Sequence, residues 1–257
     1  MTSLTLSTAD RFTVRSAIAP LLGEARISAS LTSQLLGGEV VHLVDGRGDW
    51  LRVRGADEYE GWTHVGYLMP CNGTEGTWRI SLGCVTRDAH GTTRRWPLGA
   101  RLAPTHEVLD GDAIALEARA SRFPRAVQAI ADSAATLFTG ASYQWGGVTP
   151  WGVDCSGLVQ RVLALHGVPL PRDAWQQAEA TTPVHDDAAA LHAPGDLLFF
   201  SDRDDRRITH VGISLGERRM VHSALTRGGV AIEQMDQDEP YVARLRAQCT
   251  GVHRIGG

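Results

Sequence analysis

The stretch Val153-Asp154-Cys155-Ser156-Gly157-Leu158-Val159-Gln160 decides how the second half of this chain is read. Leu158, Val159, Val162, Leu163 and Leu165 recur at helical spacing, Gly167 supplies a C-terminal stop, and Pro169 and Pro171 lie just past it. Cys155 therefore falls in the first turn of a helix, with Asp154 or Ser156 as its cap. Unpaired backbone amides and the positive end of the helix dipole gather at such a point. That environment favours thiolate over thiol. On this ground alone two readings of Cys155 stay open: a nucleophile, or a small apolar side chain packed under a helix.

A thiol nucleophile needs a base, and the base needs an orienting group. Residues 209–216, Thr-His-Val-Gly-Ile-Ser-Leu-Gly, alternate like a half-buried strand. A turn around 216–219 leads to a second apolar strand, Met220-Val221-His222. If the two pair as a hairpin with an odd number of residues between partners, His222 lies opposite Gly212 and on the face that His210 uses. With an even number the histidines face opposite sides, because a one-residue slip inverts a strand. The reading of His210 as base and His222 as orienting group thus makes a geometric demand. Glycine at 212 is expected to leave room beside His210.

These pieces carry a resemblance. Tyr143-Gln144-Trp145-Gly146-Gly147, Asp154-Cys155-Ser156-Gly157-Leu158, Pro194-Gly195-Asp196-Leu197-Leu198-Phe199-Phe200, His210-Val211-Gly212-Ile213 and Val221-His222 resemble, in this order, the NlpC/P60 cysteine peptidases. The resemblance implies a papain-like α+β catalytic domain that cleaves peptides of bacterial peptidoglycan. It implies Cys155 as nucleophile, His210 as base and His222 as third member, with Tyr143 a tyrosine near the nucleophile. The Tyr143 hydroxyl could donate to an oxyanion or simply bond to backbone.

The first part of the chain is different. Val40-Val41-His42-Leu43-Val44 and Trp50-Leu51-Arg52-Val53-Arg54 read as paired strands across a turn at 45–49. Another turn spans 55–61 and a strand starts at Trp62. This spacing suggests a small barrel or sandwich, and the Asp49-Trp50-Leu51 and Tyr59-Glu60-Gly61-Trp62 pieces resemble a bacterial SH3 domain. Trp50 and Trp62 are read as core. Residues 71–118 carry a weaker, similar pattern around Trp78, Trp96 and 113–116. The expected organisation is an SH3-like domain over 1–70, a second, divergent one over 71–120, and an NlpC/P60 domain over 121–257. The fold class is α+β, with one or two small all-β SH3-like barrels before the catalytic domain.

Residues 121–138 are expected to be one helix, with Phe123, Ala126, Val127, Ile130 and Ala131 on one side. The loop 139–153 carries Tyr143, Trp145 and Trp151 and could wall a cleft, with Trp145 read as packing. Asp173 is a plausible cap for a helix after Pro171, and Arg172 reads as structural. Residues 197–200 are a buried strand, and 242–255 supply a last strand.

A net charge of −4 gives no reason to expect nucleic acid or an anionic membrane as partner, and no window is apolar enough to span a bilayer. The four cysteines are too few and scattered for a disulfide scaffold. Cys155, His210 and His222 lack zinc-ligand spacing, so no metal and no cofactor are expected. Residues 1–10 lack a basic segment followed by an apolar one, which points to a cytoplasmic protein, with export as the alternative.

The pairing of SH3-like and catalytic parts is similar to the subgroup that cleaves γ-D-glutamyl–L-diamino-acid bonds in short murein peptides bearing a free N-terminal L-alanine. The resemblance implies that Glu24 and Tyr59, with Asp154 and Ser156, hold that amine. A carboxylate and hydroxyl acceptors suit an ammonium. Glu24 and Tyr59 could equally be ordinary surface and barrel residues, and Asp154 could serve only as cap. The expected activity is cysteine endopeptidase cleavage of a murein peptide in wall recycling. The rivals are a secreted wall endopeptidase, a catalytically silent peptide-binding module and, as a minor option, a lipid acyltransferase.

Overall fold

A computed structural model of the chain describes residues 10–71 and 78–256. The N-terminal segment behind the cytoplasmic expectation lies, but for Asp10, outside them. The chain divides into two compact units between Ala118 and Arg119.

In the first unit, β1 (Arg11–Val14), β2 (Ile18–Leu22), β3 (Leu31–Leu36), β4 (Val40–Arg47), β5 (Trp50–Arg54), β6 (Glu60–His64) and β7 (Leu68–Pro70) form one antiparallel sheet of order β3-β2-β6-β5-β4-β1-β7. Its edges are β3 and β7, so the described pairing is an open sheet and the SH3-like reading rests on the sequence resemblance. Alternation places Leu51 and Val53 of β5 inside with Phe12, Val14, Ala19, Leu21, Leu35, Val41 and Leu68. The β4–β5 turn is tighter than the sequence suggests. Pairing continues to Arg47 opposite Trp50, leaving Gly48 and Asp49 as the loop. Trp50 alternates with buried Leu51 and so lies on the half-buried outer face, edge-on to His64 at 5.4 Å, which corrects its reading as core. Trp62 is buried, with the Arg47 guanidinium 4.8 Å above its ring.

A separate sheet is centred on β8 (Arg79–Arg87), with β9 (Thr93–Trp96), β10 (Arg101–Leu102) and β11 (Glu107–Ala115). The Arg101 amide donates to the Gly37 carbonyl at 2.8 Å and ties this sheet to the first.

The second unit contains α1 (Arg119–Arg122), α2 (Val127–Thr136), the short pair β12 (Val148–Thr149) and β13 (Gly152–Val153), then α3 (Cys155–Leu165) and α4 (Ala174–Glu179). It continues with β14 (Thr182–His185), β15 (Leu197–Phe200), β16 (His210–Gly216), β17 (Arg219–Ala224), β18 (Gly229–Gln234), α5 (Pro240–Ala247) and β19 (Cys249–Arg254). These strands make an antiparallel sheet of order β14-β19-β15-β16-β17-β18. Every residue of β15 is buried, as its continuous apolar run requires. Leu198, Phe200 and Met220 pack with Val242 and Leu245 of α5, while α2 and α3 pack against β16. Among the described residues no helix is long and apolar enough to cross a membrane.

Two expectations are corrected here, and two strands were not foreseen. The helix over 121–138 is two helices, because Pro124 interrupts it, and Val127 is 49% exposed rather than part of the buried stripe. Residues 240–247 form α5 before the last strand, started by Pro240 at its first turn and capped by Glu239. The strands β14 and β18 carry no signal strong enough to have been read from sequence. Pro183 in β14 is compatible with its place at the sheet edge.

Candidate active site

The expected helix begins at Cys155, and Asp154 is its cap, accepting the Gly157 amide at 2.8 Å. The same carboxylate accepts the Gly146 amide at 2.8 Å, the Ser156 hydroxyl at 3.3 Å and two bonds from Arg172, at 3.0 and 2.6 Å. Arg172 also donates to the Ser156 hydroxyl at 2.7 Å and is itself only 2% exposed. An ionised carboxylate has about four acceptor sites, and these donors occupy them. The geometry therefore assigns Asp154 the role of cap and loop anchor, and turns Ser156 towards Arg172. Close approach completes the junction: a Cβ on Gly157 would lie 2.3 Å from the Gly147 carbonyl oxygen, so only glycine lets the loop sit on the helix.

The hairpin meets the geometric demand by an unexpected route. Gly216 pairs with Arg219 across a two-residue turn, in which Glu217 and Arg218 both adopt positive φ, 53° and 61°. Carried straight along the strands, that register would put His222 opposite Ile213 and away from His210. A bulge between Ser214 and Gly216 leaves Leu215 extra and shifts the pairing to Ser214 with Met220 and Ile213 with Val221. His222 then falls opposite Gly212, on the face of His210. The His210 Nε2 and His222 Nδ1 atoms are 2.7 Å apart, with the rings edge-on. Gly212 does not make room for His210, as the sequence suggested. A Cβ there would meet Met220 Sδ at 2.5 Å and the Val221 carbonyl at 3.0 Å.

The Ser223 hydroxyl donates to the Val153 carbonyl at 2.7 Å and fixes β17 to the segment just before Cys155. The Val211 amide, next to His210, and the Ser156 amide both donate to the Cys155 sulfur. Tyr143 bridges to Val153 and is half-buried, and its phenol is pushed up by burial and by the nearby Cys155 and Asp154.

Behind His222 lies a group that the sequence reading missed. Glu233 of β18 stands 3.4 Å from His222 Nε2 and is held by Arg227 at 2.7 and 3.0 Å. Arg227 also reaches Glu239 at 3.1 Å and lies 4.4 Å over the Tyr241 ring. No local motif marks Glu233. Its only sequence signal is its place in an alternating run that follows the histidine strand by one turn.

The electrostatics overturn one expectation. Burial, with the Asp154 charge beside it, pushes the Cys155 thiol up to about 12, and the two amide bonds and Arg172 only partly offset this. A helix terminus carries roughly half a charge, while drying a thiolate costs several times more. His210 is pushed down to about 3, by burial first and by His222 second. Both shifts favour the neutral forms, a thiol on Cys155 and an uncharged imidazole on His210. Such an arrangement can pass one proton from sulfur to ring as the sulfur attacks an electrophilic carbon.

Two of the remaining expected residues belong to the first unit. Glu24, in the first unit, is exposed, and its hydrogen bond and ion pair with Arg26 at 3.0 Å lower its pKa. Tyr59, in the same unit, packs half-buried against that unit's core. Trp145 and Trp151 are 68% and 48% exposed, which corrects the reading of Trp145 as packing. Among the described residues no group of three or more His, Cys, Asp or Glu is arranged to hold a metal ion.

With this geometry in view, comparison with known proteins is informative. Residues 140–247 match the NlpC/P60 family. A γ-D-glutamyl-L-lysine dipeptidyl-peptidase of Bacillus subtilis is 40% identical over 98 residues, covering 37% of this chain and 32% of that protein. One of the same name from Bacillus cereus is 27% identical over 235 residues, covering 79% of this chain and 70% of the relative. The chain spans about a third or less of several curated relatives it matches, the Bacillus subtilis protein among them. The crystal structure of an NlpC/P60 family protein from Bacillus cereus superposes with a TM-score of 0.76 at 19% identity, over 95% of this chain and 99% of that one, which shows a shared fold.

Proposed function

We propose that the chain is a cysteine peptidase that hydrolyses the γ-D-glutamyl–L-diamino-acid bond of short murein peptides with a free N-terminal L-alanine, in cytoplasmic recycling of wall peptides. The observation that carries the reading is the 2.7 Å pair between His222 and His210, whose neighbour Val211 donates its amide to the Cys155 sulfur. The names of the relatives support the γ-D-glutamyl bond and a diamino acid after it.

In this reading the Cys155 proton moves to His210 while the sulfur adds to the amide carbonyl. The oxyanion forms at the start of α3, where amides of the first turn and the Tyr143 hydroxyl can donate to it. Collapse breaks the C–N bond, and the His210 imidazolium protonates the departing amine. His210 next takes a proton from water, which opens the thioester to a carboxylate and returns the proton to sulfur. His222 keeps His210 oriented throughout. The amine selection is the part that the resemblance assigns to Glu24 and Tyr59. Glu24 is suited to it chemically, because an exposed carboxylate is ionised at neutral pH.

The test is hydrolysis of L-Ala-γ-D-Glu-diaminopimelate beside its N-acetylated form, with Cys155→Ala as control. Cleavage of the free peptide alone, lost in the variant, supports the proposal. Equal cleavage of both replaces it with a wall endopeptidase, and cleavage of neither sinks the peptidase reading.

A further inference from the structure

We propose that Glu233 is a positioning residue that sets the proton arrangement of the two histidines, so that the site is a four-membered chain, Cys155–His210–His222–Glu233. The inference rests on the thiol-peptidase reading above and deepens it.

Two neutral imidazoles in contact have two proton arrangements of similar energy. In one, His210 offers a lone pair to the thiol. In the other it offers an N–H and cannot accept the thiol proton. Something at the far end of the pair must choose, and an ionised carboxylate can choose because it only accepts. Glu233 is such a group. In the β17–β18 register His222 stands opposite Ala231 and Met220 opposite Glu233, so Glu233 is the diagonal neighbour of His222 on the same face. The carboxylate is 6% exposed, and Arg227 grips both of its oxygens.

The protons then follow in order. Glu233 Oε1, 3.4 Å from His222 Nε2, requires an N–H on that nitrogen. A His222 ring carrying that single proton is left with a lone pair on Nδ1. The 2.7 Å contact from His222 Nδ1 to His210 Nε2 must therefore be an N–H donated by His210. His210 Nδ1 is then the bare nitrogen, free for the thiol proton.

The groups around Glu233 agree with this. His222 faces it from β17, Arg227 from the turn before β18, and Tyr241 from α5, while Glu239 shares Arg227. Burial alone would raise the Glu233 carboxyl, but the hydrogen bonds from His222 and Arg227 outweigh it and leave the group at about 2. It is an anion at any pH where a peptidase of this kind would work.

The experiment uses the full chain, its histidines isotope-labelled, with the His222 signals identified by their loss in His222→Asn. Wild type should show His222 protonated on Nε2 and bare on Nδ1. Glu233→Ala should show a mixture of both forms, and Glu233→Asp should restore the wild-type form in part. At matched folded fraction, Glu233→Ala should lower kcat by about 10- to 100-fold with KM little changed, less than the roughly 10⁴-fold cost of a wrong tautomer at a directly contacting orienter. The alkylation rate of Cys155 by iodoacetamide should fall in parallel. A His222 protonated on Nδ1 in wild type, or a Glu233→Ala variant with unchanged tautomer and unchanged alkylation per folded molecule, overturns the proposal. The tautomer and alkylation readouts need no peptide substrate, so they decide this point even if wild type cleaves no γ-D-glutamyl bond.

Discussion

Replacing Arg172 with methionine tests the junction that holds the nucleophile helix. Methionine keeps an unbranched apolar stem but loses the hydrogen bonds that Arg172 makes to Asp154 and Ser156, at 3.0, 2.6 and 2.7 Å. The Asp154 carboxylate would remain buried with only the Gly146 and Gly157 amides and the Ser156 hydroxyl to hold its charge. Stranding one member of a buried ion pair costs about 3–5 kcal/mol. For a unit of this size that is roughly 3 °C per kcal/mol, or about 10–15 °C in the melting temperature. The pair should also be strongly coupled. With Asp154→Asn as the second variant, a double-mutant cycle should give an interaction of about 2 kcal/mol or more. Differential scanning calorimetry of the four proteins measures both quantities. Arg172→Lys should fall between wild type and methionine, because an ammonium cannot bridge both carboxylate oxygens and Ser156 at once. A loss below about 1 kcal/mol for Arg172→Met, or additive single effects, would refute the view that this pair bears the stability of the junction.

Two predictions concern protons. With the Cys155 thiol pushed up towards 12, the thiolate fraction at neutral pH is small and grows as pH rises. Alkylation of the resting protein by iodoacetamide should therefore climb steadily through the alkaline range, and a plateau reached below pH 7 would establish a preformed thiolate–imidazolium pair instead. For His210, burial lowers the folded pKa to about 3, against an unfolded value near 6.5. Between those values the unfolded chain binds the proton and the folded one does not, so stability falls as pH drops below about 6.5, by at most about 1.4 kcal/mol per pH unit. His210→Asn should flatten that part of the wild-type curve in denaturant titrations between pH 7 and 4, and parallel curves would disprove it.

Much of the catalytic unit was legible because its signals are local. A glycine stop and prolines bound the helix after Cys155, and alternation marks β5, β16 and β17. What stayed illegible depends on pairing between distant segments. Glu233 reaches His222 only across β17 and β18. Trp50 was read as core although its alternation with Leu51 and Val53 already put it on the other face. Pro124 was visible in the sequence, yet the helical stripe around it was allowed to run through. The expected barrels depended on closure of the strand order, which periodicity does not encode.

The sequence by itself singled out three side chains: a cysteine at a helix start and two histidines on neighbouring strands, each placed by a pattern that only nearby residues write. Tertiary structure decided how they face one another. A two-residue turn alone would have turned His222 away, and the single extra residue Leu215 turns it back, because strand faces alternate with a period of two. It also decided their charge. A helix start favours a thiolate in general, but here burial among packed strands outweighs it, since the cost of drying an ion depends on everything that surrounds it and not on the residues beside it in sequence.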